Sequence, residues 1–358
     1  MSVKAKLQAR AAHRQRVHGF KAKPAQQLGL TVLQFEKVGH HARRNFQREW
    51  DEFRRWCQER GVNPTLVEQV NTMMPLYLDA LFFAGYNHDR ADKLYAALRY
   101  FLPNAGISNH AKMEATLAAM KGYRRLGHGQ TRAPLAKPMV FAAVGLAVRW
   151  GWHDMALALC LSWDAYLRLP SDLLQLTGAS LVPPVQVGGQ SLTAAGSWAL
   201  LLYPEEQPLR SKAGQFDESV ALTPFMSKVI GRRLQQLKEA AGPKERVWSM
   251  TAYEFGRKFR ALFRALGRDS ARPYQVRHGA ASCDAAEGSP LADIQHRLRH
   301  ATDRSSKRYA KHARYLAELA AAPKPVLNYG HQVTAQLAEG IAGKCQPALP
   351  AMMMTAAP

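Results

Sequence analysis

The chain has 358 residues, 47% of them hydrophobic, and carries 49 Lys plus Arg against 27 Asp plus Glu, a formal net charge of +22. That length supports two domains with cores, and the charge excess points to a polyanionic partner, nucleic acid ahead of an anionic membrane surface. Cys57, Cys160, Cys283 and Cys345 form no C-x-x-C pair, which argues against a zinc module and a disulfide framework, and no apolar run reaches the length of a membrane span.

Residues 1–36 read as a basic arm. Lys4, Lys6, Arg10, Arg14, Arg16, Lys21 and Lys23 appear before the first acid. Such an arm tracks phosphates, acts as a localisation signal, or is a solvated tail; no apolar stretch of signal-peptide type follows it. Residues 37–127 read as one helical domain. Phe46, Trp50, Phe53, Trp56 and Cys57 recur at helical spacing over 44–60, and Gly61 suits the stop. Pro64 restarts a helix that Pro75 is expected to kink or break. Asp89 suits the start of the next helix, which carries Leu94, Leu98 and Phe101, and another runs from about 109 to 126. Residues 127–134 read as a linker.

Helices resume over 137–152 and 153–166. The strand signal follows: the apolar run 198–203, a turn-rich stretch, then Phe216, Val220 and Leu222 on one face of an alternating segment. This is a hairpin with Lys212 near its turn. Helices are expected at about 224–240, 251–266, 274–287, 290–299 and 303–321. Beyond 321 the composition predicts a low-complexity tail, disordered or holding one short helix near 333–341. The expected fold is mainly α with a small antiparallel β-sheet, divided as arm 1–36, helical domain 37–127, second domain 128–321 and tail 322–358.

Within the second domain, chemistry-bearing residues recur in a suggestive order. They are Arg168 with Asp172 in Tyr-Leu-Arg-Leu-Pro-Ser-Asp-Leu-Leu, Lys212 in Ser-Lys-Ala-Gly, Tyr274 and Arg277 in Tyr-Gln-Val-Arg-His-Gly, then Leu298-Arg299-His300, with Tyr309 nine residues after His300. The order and spacing resemble the tyrosine recombinases, the phage-integrase-like DNA breaking–rejoining enzymes. Residues 130–320 resemble the family's catalytic domain, and the helical block before them resembles its core-binding domain.

The resemblance implies a site-specific recombinase or integrase of a mobile element, cutting and rejoining double-stranded DNA through a 3′-phosphotyrosyl intermediate, with no metal or cofactor. Arg168 and Arg277 would bind the non-bridging oxygens of the scissile phosphate, as the planar guanidinium fork allows. Lys212 would protonate the departing 5′ oxygen, His300 would donate a hydrogen bond to the phosphate, and Tyr309 would attack phosphorus. Asp172 would orient an active-site group. Seven Lys or Arg and one acid lie across 297–314, so Arg297, Arg299, Arg304, Lys307, Arg308 and Lys311 are candidate DNA-backbone contacts. The resemblance further implies a tetramer on paired sites, C-terminal segments docking onto neighbours, and an intracellular, DNA-associated location.

The chain departs from the family pattern at three places. Tyr274 stands where most members have His, Asp172 follows Arg168 by four residues rather than three, and Arg299 replaces the usual glycine. Structural alternatives also exist. Arg168 pairs with Asp164 or Asp172, Arg277 pairs with Asp284, Lys212 is a solvated turn lysine, and Tyr315 is the rival nucleophile. His296 and His300 lack the pattern of a metal pair, and His278 reads as support for the fold or as a DNA-backbone contact. Functional alternatives are a non-catalytic DNA-binding protein derived from such an element, or type IB topoisomerase-like relaxation.

Overall fold

The computed structural model describes Gln8 and residues 30–102, 110–127, 133–185, 196–204, 217–344 and 347–350, and divides into two compact units, Met1–Thr131 and Arg132–Pro358. Among the described residues the first unit is helical: α1 (Val32–Glu36), α2 (His40–Gln58), α3 (Val67–Phe83), α4 (Asp89–Phe101) and α5 (Glu114–Leu126), with a 3₁₀ turn at His110–Met113. Its core gathers Phe53, Met74, Leu78, Leu94 and Leu98, all buried. The basic arm ends earlier than its composition suggests. Leu30 is buried, a Thr31–Gln34 capping box starts α1, and Tyr100 Oη donates to the Phe35 carbonyl at 3.0 Å.

Pro75 does not break its helix: α3 runs through it. The missing N–H leaves one carbonyl of the preceding turn without its helical donor, but Met73, Met74, Tyr77 and Leu78 on both sides of the proline are buried. Tertiary packing there outweighs the local cost of about 3 kcal/mol.

The second unit is built around α6 (Lys137–Arg149) and α7 (His153–Asp164), in which residues 138–148 and 155–164 are buried. Helices apolar all round belong inside a larger unit, and these two pack on each other and on the elements that follow. The strands β1 (Leu181–Val182), β2 (Ala199–Leu202) and β3 (Glu218–Ala221) form an antiparallel sheet in that order. Leu200 faces Val220 and Leu202 faces Glu218 in its register. The hairpin of β2 and β3 lies where the alternation predicts it; Lys212 and Phe216 lie outside the described residues. Strand β1, only two residues long, carries too little sequence to be read as a strand.

Next come α8 (Pro224–Ala240), α9 (Ala252–Ala265), α10 (Tyr274–Ala286) and α11 (Leu291–Leu298). Thr223 caps α8 and a Thr251–Glu254 capping box starts α9. The segment expected as one helix over 303–321 is two, α12 (Asp303–Lys307) and α13 (His312–Ala321), and Tyr309 lies in the connection between them.

The expected tail is instead structured through residue 341 by α14 (Lys324–Ala335) and α15 (Leu337–Ile341). Val326, Tyr329, Val333 and Leu337 are buried, and α14 lies against α6 of the same chain. The contact is as close as two backbones allow: a Cβ on Gly330 would sit 1.8 Å from the Pro138 carbonyl oxygen, and one on Gly145 would sit 2.5 Å from Val333. Ala, Pro and Met content suggests low complexity, while the inward spacing of Val326, Tyr329 and Val333 is that of a packed helix. No helix among the described residues is long and apolar enough to cross a membrane.

Candidate active site

Three carbonyls at the C-terminal end of α7 anchor the site. A helix end leaves acceptors without intrahelical donors, and three arginines satisfy them here. Arg297 donates to the Asp164 carbonyl, Arg299 to those of Ala165 (3.0 Å) and Tyr166 (3.2 Å), and Arg277 to that of Tyr166 at 2.6 Å. Tyr166 presents its carbonyl from a left-handed turn, φ 49°, and its hydroxyl donates to Asp284. Asp284 thus serves Tyr166, and the alternative of Asp284 as the partner of Arg277 does not hold.

Just past that turn, Arg168 and Asp172 lie four residues apart around a tight bend. The Asp172 carboxylate is buried and central. It accepts from the Arg168 backbone N–H (3.0 Å), Tyr203 Oη (2.8 Å) and Arg299 Nη2 (2.9 Å). Its oxygens also lie 3.6 Å from Arg168 Nη1 and 3.9 Å from Arg277 Nη1. Arg168 Nη1 is buried, faces Asp172 and makes no hydrogen bond.

Helix α10 supplies a second face. Tyr274, His278 and Ser282 recur at four-residue spacing and therefore line one side of the helix. All three meet Tyr309. The His278 ring stacks on the phenol ring with centroids 4.2 Å apart and planes 11° apart, and Tyr274 approaches edge-on at 5.9 Å. Ser282 Oγ donates to the Tyr309 carbonyl and accepts from the Lys311 N–H at 3.1 Å. The segment between α12 and α13 is thereby held at side chain and backbone.

Helix α11 ends at Arg299, whose backbone is left-handed, φ 54° and ψ 46°. This is a usual C-terminal stop for a glycine, and a residue with a Cβ adopts it at a cost of about 1–2 kcal/mol. The turn delivers His300, whose ring centroid is 4.8 Å from that of Tyr309. Arg277 Nη2 lies 3.4 Å from His300 Nε2 and also donates to the Leu298 carbonyl. A guanidinium only donates, so Nε2 is the acceptor and Nδ1–H is left to donate to Ser306 Oγ at 3.2 Å.

Burial and then charge set the protonation states. Burial first, then the Arg277, Arg168 and Arg299 charges, pushes His300 down to about 4. The imidazole is neutral at physiological pH. Burial first, then Arg299 and Arg168, pushes Arg277 down to about 9, which leaves it cationic. Arg168, Arg277 and Arg299 face two carboxylates, Asp172 and Glu218. One positive charge therefore remains, the complement of a single anionic group.

The His300 shift has a sign that can be checked. Below the ordinary value of 6.5 an unfolded chain takes up a proton that the folded site refuses until about pH 4. Stability should therefore fall as pH drops through that window and level off below it. The ring is only half-buried, so solvent screening holds the effect to about 1–2 kcal/mol. Urea unfolding of His300→Gln at pH 4.5 and pH 7 should show a smaller difference than wild type; equal differences would mean that His300 is not depressed.

An open cavity of about 770 Å³ joins these groups, with Arg168, Tyr274, His278, His300, Arg308 and Tyr309 in its wall. Arg277 is not in the wall. It is fully buried, its guanidinium 5.5 Å from the Tyr309 ring centroid. The structure thus brings Arg168, Tyr274, Arg277, His300 and Tyr309 together, while Lys212 lies outside the described residues. Tyr315 is elsewhere: it is buried and its hydroxyl accepts from the Lys137 N–H at the start of α6, 3.1 Å away. His296 is exposed.

Two expected DNA contacts are corrected. Arg299 has a side chain 6% exposed and pairs with Asp172 at 2.9 Å and Glu218 at 3.2 Å, so it holds protein rather than phosphate. Arg297 turns inward to Asp164 and lies over the Tyr166 ring at 5.1 Å. Arg304, Lys307 and Arg308 are exposed, and Lys311 is half-buried. Sequence reasoning missed Ser282, Ser306, Tyr203 and Glu218. Only Ser282 had a readable signal, the four-residue stripe with Tyr274 and His278.

No protein-family model and no curated protein matches the sequence. Among solved structures the chain is similar to the XerA recombinase, with 13% identity and a TM-score of 0.39 over 85% of this chain and 94% of that one. It is also similar to the XerH site-specific recombinase bound to palindromic difH substrate in a post-cleavage complex, with 12% identity and a TM-score of 0.39 over 71% and 78%. The pre-cleavage complex of XerH with difH substrate gives 12% identity and a TM-score of 0.38 over 71% and 77%.

Proposed function

We propose that the chain is a site-specific DNA recombinase that cuts and rejoins strands through a tyrosine nucleophile. The observation that carries this reading is the convergence of Arg168, His300 and Tyr309 on one cavity, with Arg277 directly behind them. In the proposed reaction the scissile phosphodiester enters beside Arg168, which lines the cavity and donates to a non-bridging oxygen. The residual positive charge of the cluster favours the pentacoordinate transition state over the ground state.

The Tyr309 oxygen attacks phosphorus and loses its proton, forming a phosphotyrosyl bond as the P–O5′ bond breaks. Lys212 supplies the proton that the 5′ oxygen needs. Neutral His300 is able to take up the phenolic proton, because the incoming anion offsets the cations that, after burial, hold its basicity down. Protonated, it donates to the phosphate as the resemblance implies. Reversal by a 5′ hydroxyl restores the diester and the tyrosine, so the cycle needs no external energy source. Arg304, Lys307, Arg308 and Lys311 are the proposed backbone contacts, and pairing of sites would assemble a tetramer.

One observation favours the alternative of a DNA-binding protein without catalysis. Both Nη groups of Arg277 are committed to backbone carbonyls, so this guanidinium must be partly released before it grips a phosphate. The deciding experiment uses nicked suicide duplexes tiled across the DNA that flanks the coding region, incubated with the intact protein in EDTA. A covalent protein–DNA band on one of the tiles is expected. Binding without a band on any tile would establish the non-catalytic alternative, and a band that requires a divalent ion would overturn the metal-independent chemistry.

A further inference from the structure

We propose that Arg299 is a positioning residue that ties the β3 strand to the Arg168–Asp172 pair and so fixes the phosphate-facing guanidinium of Arg168. The proposal rests on the phosphate-centred reading above and assigns a task to a residue that the family pattern would replace with glycine.

Four observations meet at this side chain. Its backbone sits in the left-handed region, where glycine has no steric penalty, so an arginine there needs another reason. Its guanidinium is nearly fully buried and donates to Asp172 Oδ2 at 2.9 Å, to the carbonyls of Ala165 and Tyr166, and to the Arg297 carbonyl at 3.2 Å. Its Nε lies 3.2 Å from Glu218 on β3, and both Glu218 oxygens are buried with no hydrogen bond. Arg299 is the only cation paired with Glu218 among the described residues. Finally, the residue that follows Arg299 is His300, so the turn fixed by these contacts also fixes the imidazole.

The arrangement is a relay of geometry. Glu218 draws Arg299 toward the sheet, and Arg299 holds one oxygen of Asp172. That same carboxylate holds the Arg168 backbone N–H and faces its Nη1. A planar fork with several donors in one orientation does this, and an ammonium does not. Without Arg299, Asp172 and Glu218 are two buried carboxylates that lose their shared counter-charge, and Arg168 loses a fixed partner. Arg299 does not touch the reacting atoms in this scheme; it acts through Asp172 and the turn before His300.

The test compares wild type with Arg299→Gly, Arg299→Lys and Arg299→Gly/Glu218→Gln. Two readouts are used: the Arg168 Nε–H signal in ¹⁵N spectra, and inorganic phosphate affinity followed at the His300 ring. Wild type is expected to show a sharp, slowly exchanging Arg168 signal and a His300 shift with millimolar phosphate. Arg299→Gly should broaden the Arg168 signal and weaken phosphate binding at least tenfold. Adding Glu218→Gln should restore melting temperature without restoring phosphate affinity, which separates positioning from simple stability. Should Arg299→Gly fail to fold, Arg299→Lys makes the same comparison, because it keeps the charge and lacks the fork. Wild-type phosphate affinity and a sharp Arg168 signal in the variants would overturn the proposal. A wild type that ignores phosphate would instead overturn the phosphate-centred reading, and the Arg168 signal would then decide the role of Arg299 by itself.

Discussion

Tyr309→Phe is expected to abolish the covalent DNA adduct, lowering its rate of formation by at least about 10³-fold, while duplex binding and the fold stay intact. The substitution removes one oxygen and keeps the ring, and it is the ring that the site holds. His278 stacks on it at 4.2 Å, Tyr274 meets its edge, and Ser282 holds the Tyr309 carbonyl and the Lys311 N–H. Tyr315→Phe gives the opposite pattern. Its hydroxyl receives the Lys137 N–H at the head of α6, so its loss leaves a backbone donor unsatisfied and costs about 1–3 kcal/mol of stability, with the adduct still forming. Adduct assays on both variants with the same suicide duplex decide the matter. An adduct that survives in Tyr309→Phe and vanishes in Tyr315→Phe would move the nucleophile to the other residue and leave the cavity without its chemistry.

The pair also shows what the sequence makes legible. A helix over 303–321 would place Tyr309 and Tyr315 on one rod, separated only by rotation. The structure separates them by a break at 308–311, made by local turns such as Tyr309 N–H to the Ser306 carbonyl, and no proline or glycine there signals it. The helices at about 224–240 and 251–266 were readable, and Thr223, Thr251 and Glu254 cap them in the structure. The hairpin was readable because alternation repeats. Of the C-terminal helices only a short one near 333–341 was offered by the sequence; α14 was not, since its apolar residues sit among Ala and Gly whose value is close approach: Gly330 against Pro138 is a tertiary fact. Site residues of the right types could be named from their order, but which atoms are committed could not. Arg299 and Arg304 look alike in a basic run, and burial alone sends one to Asp172 and Glu218 and leaves the other at the surface.

Asp172→Ala should be among the most destabilising single changes in the second unit, about 3–5 kcal/mol. Three guanidiniums lie within 3.9 Å of this one carboxylate, at 2.9 Å from Arg299, 3.6 Å from Arg168 and 3.9 Å from Arg277. A buried ion pair contributes little net stability when formed, because desolvation cancels most of the attraction; removing one partner is different, since the remaining charges stay buried and now repel. Glu218 is left as the nearest compensation and, among the described residues, pairs with Arg299 alone. Asp172→Asn separates shape from charge. Its amide oxygen still accepts from Tyr203 Oη or the Arg168 N–H, so part of the loss, about 1–2 kcal/mol, should be recovered. Chemistry should not be recovered with it. Removing the carboxylate raises the positive charge of the cluster and by itself would strengthen anion binding. Loss of the fixed Arg168 geometry works against turnover, and displacement of a catalytic group by about 1 Å costs roughly 10²-fold. The expected signature for Asp172→Asn is therefore DNA binding at or above wild type, an adduct rate about a hundredfold lower, and a melting temperature between those of wild type and Asp172→Ala. If both substitutions left thermal unfolding unchanged, the three arginines would not depend on this carboxylate, and the cluster would have to be held by the α7 carbonyls alone.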